Sequence, residues 1–236
     1  MASSTAAQSA TPPATPGASV DDIKAAVRAS IAARQGFEKP YPYFIVRDLF
    51  PAAVAKELAT LPFRAPGLDG VSGKRELHND TRRYFDAATN AEHPVMGRIA
   101  EVLQDPEIVG EFARAFDAPL DGTYLRLEYA QDVDGFWLEP HTDLGVKKFT
   151  CLIYLSDGPG HEALGTDIYA SRTEHVGAPP FTPNSAMIFV PGSDTWHGFE
   201  KRPIEGVRRS VILNYVTDEC RAREQLSFPD KPVASA

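Results

Sequence analysis

The sequence predicts a mainly β protein with flanking helices (α+β), a jelly roll or double-stranded β-helix buttressed by N-terminal helices. Two observations carry this. From Tyr124 onward, short runs rich in β-branched and aromatic residues alternate with clusters of Gly, Pro, Asp and Ser, as in a sandwich or barrel. Upstream, apolar residues recur at helical spacing and prolines open successive segments.

Ile23, Val27 and Ile31 form one stripe of a first helix over 21–34, with Ser19 as its cap and Gly36 as its stop. Tyr43-Phe44-Ile45-Val46 reads as a short strand. Phe50-Pro51 opens a helix that ends before Pro62, because proline fits a first helical turn and breaks a later one. Residues 65–74 read as a loop, and 94–103 and 106–116 as helices that each begin at a proline. Strands are expected near 123–129, 137–143, 148–155, 166–170, 186–190, 195–199 and 207–216. The predicted organisation is one domain over 21–236 with its jelly-roll core at about 123–216, after a tail at 1–20. That tail carries no charged side chain, is rich in Ala, Ser, Thr and Pro, and reads as disordered and unlike a signal peptide.

A hydrophobic content of 43% is enough for a sizeable core. The excess of 32 acidic over 24 basic side chains, a formal charge of −8, falls outside the uncharged tail and argues against a nucleic-acid partner. Cys151 and Cys220 show no close pairing, and no apolar stretch is long enough for a membrane span. A soluble, cytoplasmic protein is the expectation.

The chemistry concentrates in His141-Thr142-Asp143, in a later His197, and in Gly206-Val207-Arg208-Arg209-Ser210. Side chains alternate across a strand, so His141 and Asp143 share a face and His197 can close a facial triad. Three protein ligands leave positions open, which suits non-haem Fe(II) and oxygen chemistry better than a closed structural zinc site. Arg208 and Ser210, two apart on the last strand, can hold the far carboxylate of a dicarboxylate whose other end chelates the metal, since a guanidinium matches a carboxylate through paired hydrogen bonds. With 2-oxoglutarate in that role the charges of metal, Asp143, ligand and Arg208 nearly cancel, as a water-poor pocket requires.

These residues, in the order LRLEYAQDVDGFWLEPHTD, KFTCLIYLS, TPNSAMIFVPGSDTWHGFE and GVRRSVILNYV, make residues 123–216 resemble the Fe(II)/2-oxoglutarate-dependent oxygenases, in the branch that includes prolyl hydroxylases. The resemblance implies Fe(II), 2-oxoglutarate and O2, with ascorbate as a reductant. It implies His141, Asp143 and His197 as metal ligands and Arg208 on the distal carboxylate, and it adds Tyr129 and Tyr154 as phenols that bond the co-substrate. Strand parity places Leu125, Leu127 and Tyr129 on one face and Thr150, Leu152 and Tyr154 on another, so that each tyrosine can point inward. The implied reaction is hydroxylation of an unactivated C–H bond with release of succinate and CO2. Two other readings of the same residues are a ligand-binding module without redox work and a zinc-dependent, cupin-like enzyme.

The chain departs from the pattern at Leu164-Gly165-Thr166, where prolyl hydroxylases usually carry paired glycines, and this weakens a prolyl substrate more than it weakens iron. A second H-x-D at His78-Asn79-Asp80 lies too far upstream for the metal site, although Asn79, Arg82 or Arg83 could fold over the barrel mouth. Phe136, Trp137 and Trp196 flank the ligands and could wall the pocket. Lys147 and Lys148 read as a solvated strand edge, and His93, His161 and His175 as loop or surface residues. The substrate stays open between a small metabolite and a protein side chain, because selectivity lies in loops such as 64–90 and 156–180.

Overall fold

The computed structural model describes residues 18–68, 73, 82–143 and 145–235. Helix α1 (Val20–Ala32) begins with a capping box in which Ser19 and Asp22 satisfy each other's backbone N–H groups, and it buries Ile23, Val27 and Ile31. Residues 18–20 thus belong to the folded part rather than to the tail, and residues 1–17 lie outside the described residues. Gly36 is not the helix stop. It sits inside strand β1 (Gln35–Phe37), which pairs with β2 (Tyr43–Val46).

Helices α2 (Ala52–Ala59), α4 (Pro94–Gln104) and α5 (Pro106–Phe116) each follow or begin with a proline. Besides β1 and a later strand at Glu174–Gly177, two further short elements went unanticipated in the sequence, β3 (Arg83–Tyr84) and α3 (Ala87–Glu92), the latter capped by Asp86 accepting from Thr89 N. The remaining strands are β4 (Tyr124–Asp132), β5 (Leu138–His141), β6 (Lys147–Tyr154), β7 (Asp167–Ser171), β8 (Glu174–Gly177), β9 (Ser185–Phe189), β10 (His197–Phe199) and β11 (Arg208–Val216). They form a seven-stranded sheet, β1-β2-β9-β6-β11-β4-β3, and a four-stranded sheet, β5-β10-β7-β8. All pairings are antiparallel, giving a double-stranded β-helix with the helices on the outer face of the larger sheet.

Two apolar clusters follow. Against the helices lie Leu125, Leu127, Tyr129, Cys151, Ile153, Leu213 and Tyr215. Between the sheets lie Leu152, Tyr154, Met187, Phe189, Phe199 and Ile212. Strand β4 shows why the faces divide this way. Its odd positions are Leu125, Leu127 and Tyr129, each worth roughly 1.5–3 kcal/mol when buried on apolar helices, whereas Arg126, Glu128 and Asp132 need polar partners. The polar side therefore turns into the barrel, where the site is. Among the described residues, no helix is long and apolar enough to cross a membrane.

Candidate active site

His141 ends β5 and His197 opens β10, and the two are direct cross-strand partners. Asp143 follows β5 by two residues. One ligand atom from each of the three lies within 4.8 Å of the others. His141 Nε2 is 3.7 Å from Asp143 Oδ1, and His197 Nε2 is 3.7 Å from Asp143 Oδ2. On the far side of each ring, Nδ1 donates to a carbonyl two residues back: His141 to Glu139 O and His197 to Thr195 O, both at 2.9 Å. A carbonyl can only accept, so each Nδ1 carries a proton and each Nε2 is the nitrogen turned to the centre, the arrangement that orients metal-binding imidazoles.

Asp143 is held at both oxygens. Lys147 Nζ donates to Oδ1 over 2.6 Å and Thr150 Oγ1 to Oδ2 over 2.9 Å. Burial works against the charged carboxylate, but the Lys147 ammonium and the neighbouring imidazoles hold Asp143 well below the usual carboxylate range. Burial lowers His197 to about 4, against the pull of Asp143, which keeps its imidazole neutral at neutral pH. Two imidazole nitrogens and one carboxylate on three convergent side chains make a site fit for a divalent transition metal with open positions.

Beside His197 a cavity is lined by Arg208, Ser210 and Tyr154, together with Arg82, Asp132, Thr166 and a wall that includes Phe136, Leu138 and Phe199. Register explains the grouping: on β11, Ser210 sits opposite Tyr154 of β6 and Arg208 opposite Asp132 of β4. Arg208 is buried near the rings of Phe181 and Phe199, 5.1 and 4.7 Å from their centroids, with Nη1 on Asp132 Oδ2 at 2.6 Å and Nε on Leu164 O at 2.8 Å. Tyr154 donates to Thr166 Oγ1 and accepts from Thr166 N. Burial raises its phenol, so it remains a proton donor, with Thr166 and Arg208 working the other way.

Leu164-Gly165-Thr166 is therefore where this cavity is anchored. Leu164 O seats Arg208, Gly165 O takes Arg202, and Thr166 ties Tyr154. A Cβ at Gly165 would collide with the Pro179 carbonyl oxygen, so this glycine is required by a close approach of two backbones.

Tyr129 is a correction. It does share a face with Leu125 and Leu127, but that face meets the helices, and its hydroxyl donates to Leu58 O over 2.9 Å with Phe63 against its ring. It is placed across the sheet from the cavity and is in no position to bond a co-substrate beside Arg208. Tyr129→Phe is expected to lower stability by about 0.5–1.5 kcal/mol through the lost hydrogen bond to Leu58 O, a carbonyl that keeps its backbone donors, while leaving ligand binding at the site unchanged. Thermal melts and calorimetry on the same preparation would check both halves.

Other placements differ from the sequence reading. Lys147 is no solvated edge residue but a partner of Asp143, and His161 is buried, with Nδ1 at Ser156 Oγ and Nε2 donating to Glu205 O. His175 is exposed, as read, with Nε2 3.0 Å from the buried Asp167. Trp137 and Trp196 are half-buried. The second H-x-D, His78-Asn79-Asp80, lies outside the described residues. Sequence reasoning missed Asp132 because it ended the strand at 129, and it missed Thr150 although parity had already turned that residue inward with Tyr154.

No protein-family model and no curated protein sequence matches this chain. Solved structures do. A prolyl 4-hydroxylase from Phytophthora capsici superposes with a TM-score of 0.57 at 14% identity over 89% of this chain and 70% of that one. A prolyl hydroxylase from Trichoplax adhaerens, in complex with a hypoxia inducible factor peptide fragment, gives 0.55 at 12% identity over 86% and 93%. A prolyl-4-hydroxylase from Pseudomonas putida gives 0.52 at 13% identity over 83% and 94%. The chain has the double-stranded β-helix fold of these oxygenases, and it carries a candidate His-Asp-His metal triad.

Proposed function

We propose that this protein is a non-haem Fe(II)- and 2-oxoglutarate-dependent dioxygenase that hydroxylates an unactivated C–H bond with release of succinate and CO2. The observation that carries the reading is the convergence of His141, Asp143 and His197 next to a cavity whose polar end is Arg208, Ser210 and Tyr154. When bound, Fe(II) with 2-oxoglutarate and O2 supplies the oxidising power. The chain supplies geometry and surroundings.

His141, Asp143 and His197 would hold the metal, with Lys147 and Thr150 fixing the Asp143 carboxylate. Arg208, Ser210 and the Tyr154 hydroxyl would receive the distal carboxylate of the keto-diacid, whose other end then reaches the triad. Phe136, Leu138 and Phe199 exclude water from the reacting groups, which matters because a strong oxidant must meet its substrate before solvent does. The neighbours' identities of 12–14% transfer the architecture and leave the substrate to be found.

Succinate measured after incubation with Fe(II), 2-oxoglutarate and a cell extract is expected to depend on both additions and to vanish in Asp143→Ala. Mass spectrometry of the same extract should show a compound that has gained one oxygen. Activity supported by zinc with no O2 consumption would instead favour a hydrolase or isomerase on this fold.

A further inference from the structure

Arg208 is not a free cation. An arginine held by an aspartate at 2.6 Å has little net charge to offer another carboxylate, and Asp132 holds Arg208 in this way. A second guanidinium stands behind the pair: Arg82 Nη2 lies 3.4 Å from the other Asp132 oxygen, Oδ1, and Arg82 Nε lies 3.3 Å from Glu128 Oε1. Glu128 is also met by Arg126 Nη2 at 3.2 Å. Arg82 is 6% exposed and lines the same cavity as Arg208 and His197. Among the described residues, neither Arg82 Nε nor Asp132 Oδ1 has a hydrogen-bond partner of normal geometry.

Among the described residues, this group thus sets three guanidiniums, the buried Arg82 and Arg208 and the partly buried Arg126, against two buried carboxylates, Glu128 and Asp132. A surplus positive charge in a desolvated interior is costly unless an anion joins it. If Arg82 were absent, Asp132 would cancel Arg208, and a dicarboxylate would enter a pocket with no net attraction for its far end.

We propose that Arg82 is a positioning residue for the co-substrate: by engaging Asp132 from behind, it lets Arg208 present net positive charge to the distal carboxylate of the keto-diacid. This rests on the 2-oxoglutarate reading above. Arg82 lies just before β3, the edge strand paired to β4 beside Glu128 and Tyr129, so the edge of the large sheet takes part in co-substrate affinity.

The test is calorimetric titration of 2-oxoglutarate into the Mn(II)-loaded protein. The unsubstituted protein is expected to bind it, and failure to bind would overturn the proposed function itself, and this inference with it. Given binding, Arg82→Gln should raise Kd by roughly tenfold or more, the scale of one buried charge at several ångströms. Arg82→Gln combined with Asp132→Asn should recover most of the loss, since the cancelling carboxylate is gone as well. A purely structural role for Arg82 predicts no such recovery. Asp132→Asn alone, with Arg82 retained, should tighten binding severalfold, and it keeps the proposal falsifiable if Arg82→Gln does not fold. Arg82→Gln binding as tightly as the unsubstituted protein, a double variant as weak as the single one, or no gain in Asp132→Asn would each overturn the proposal while leaving the 2-oxoglutarate site standing.

Discussion

Asp143→Ala is expected to abolish metal binding and turnover together. It removes one of three convergent ligand atoms and the acceptor shared by Lys147 and Thr150. A ligand that binds only the folded state stabilises it by about 2.7 kcal/mol at a hundredfold excess over Kd, and in a chain of this length each kcal/mol moves Tm by about 2–4 °C. Adding Mn(II) or Fe(II) under argon should therefore raise the Tm of the unsubstituted protein by about 5–10 °C. In Asp143→Ala the rise should disappear, measured against that variant's own metal-free melt, which starts lower because Lys147 and the buried Thr150 lose their shared acceptor. A metal-induced rise of the same size in both proteins would take Asp143 out of the site.

Arg208→Ala should show two separable losses. The first is affinity for 2-oxoglutarate: two charge-assisted hydrogen bonds at about 1.5–3 kcal/mol each amount to a hundredfold or more in Kd, roughly, and KM should rise with it. The second is stability. Removing one partner of a buried ion pair costs about 3–5 kcal/mol, since the other charge is left in a poor medium, and the lower end applies here because Arg82 stands 3.4 Å from Asp132. Pairing Arg208→Ala with Asp132→Asn distinguishes the two, because the melt should recover and the affinity should not. Retention of tight 2-oxoglutarate binding in Arg208→Ala would place the carboxylate elsewhere.

Much of the fold was legible because its signals are local. Proline at a first helical turn, the Ser19 cap and the stripe Ile23, Val27, Ile31 each depend on a few neighbouring residues, and the corresponding helices lie where those residues put them. The short elements β1, β3, α3 and β8 were not, since two to six residues carry too little periodicity and owe their form to pairing and capping. At the site, spacing alone pointed to the residues that converge at the triad. Tyr129 shows where such reasoning ends. Alternation says which residues share a face, but both faces of β4 are buried, and only the distribution of polarity along Arg126, Glu128 and Asp132 tells which one meets the helices. Asp132 escaped notice because its partner is fixed by the return of the chain rather than by neighbours in sequence, whereas Lys147 was read as a solvated edge although Asp143 lies only four residues before it.

The cross-strand facing of His141 with His197, and of Arg208 with Asp132, has a consequence for how this barrel can fail. A slip of β10 or β11 by a single residue would reverse every side chain on that strand, sending an imidazole or a guanidinium out of the cavity and apolar groups into it. Misaligned forms would therefore be chemically inert as well as less stable, and the hydrogen-bond ladder that closes the barrel also serves as the proofreader of its reactivity.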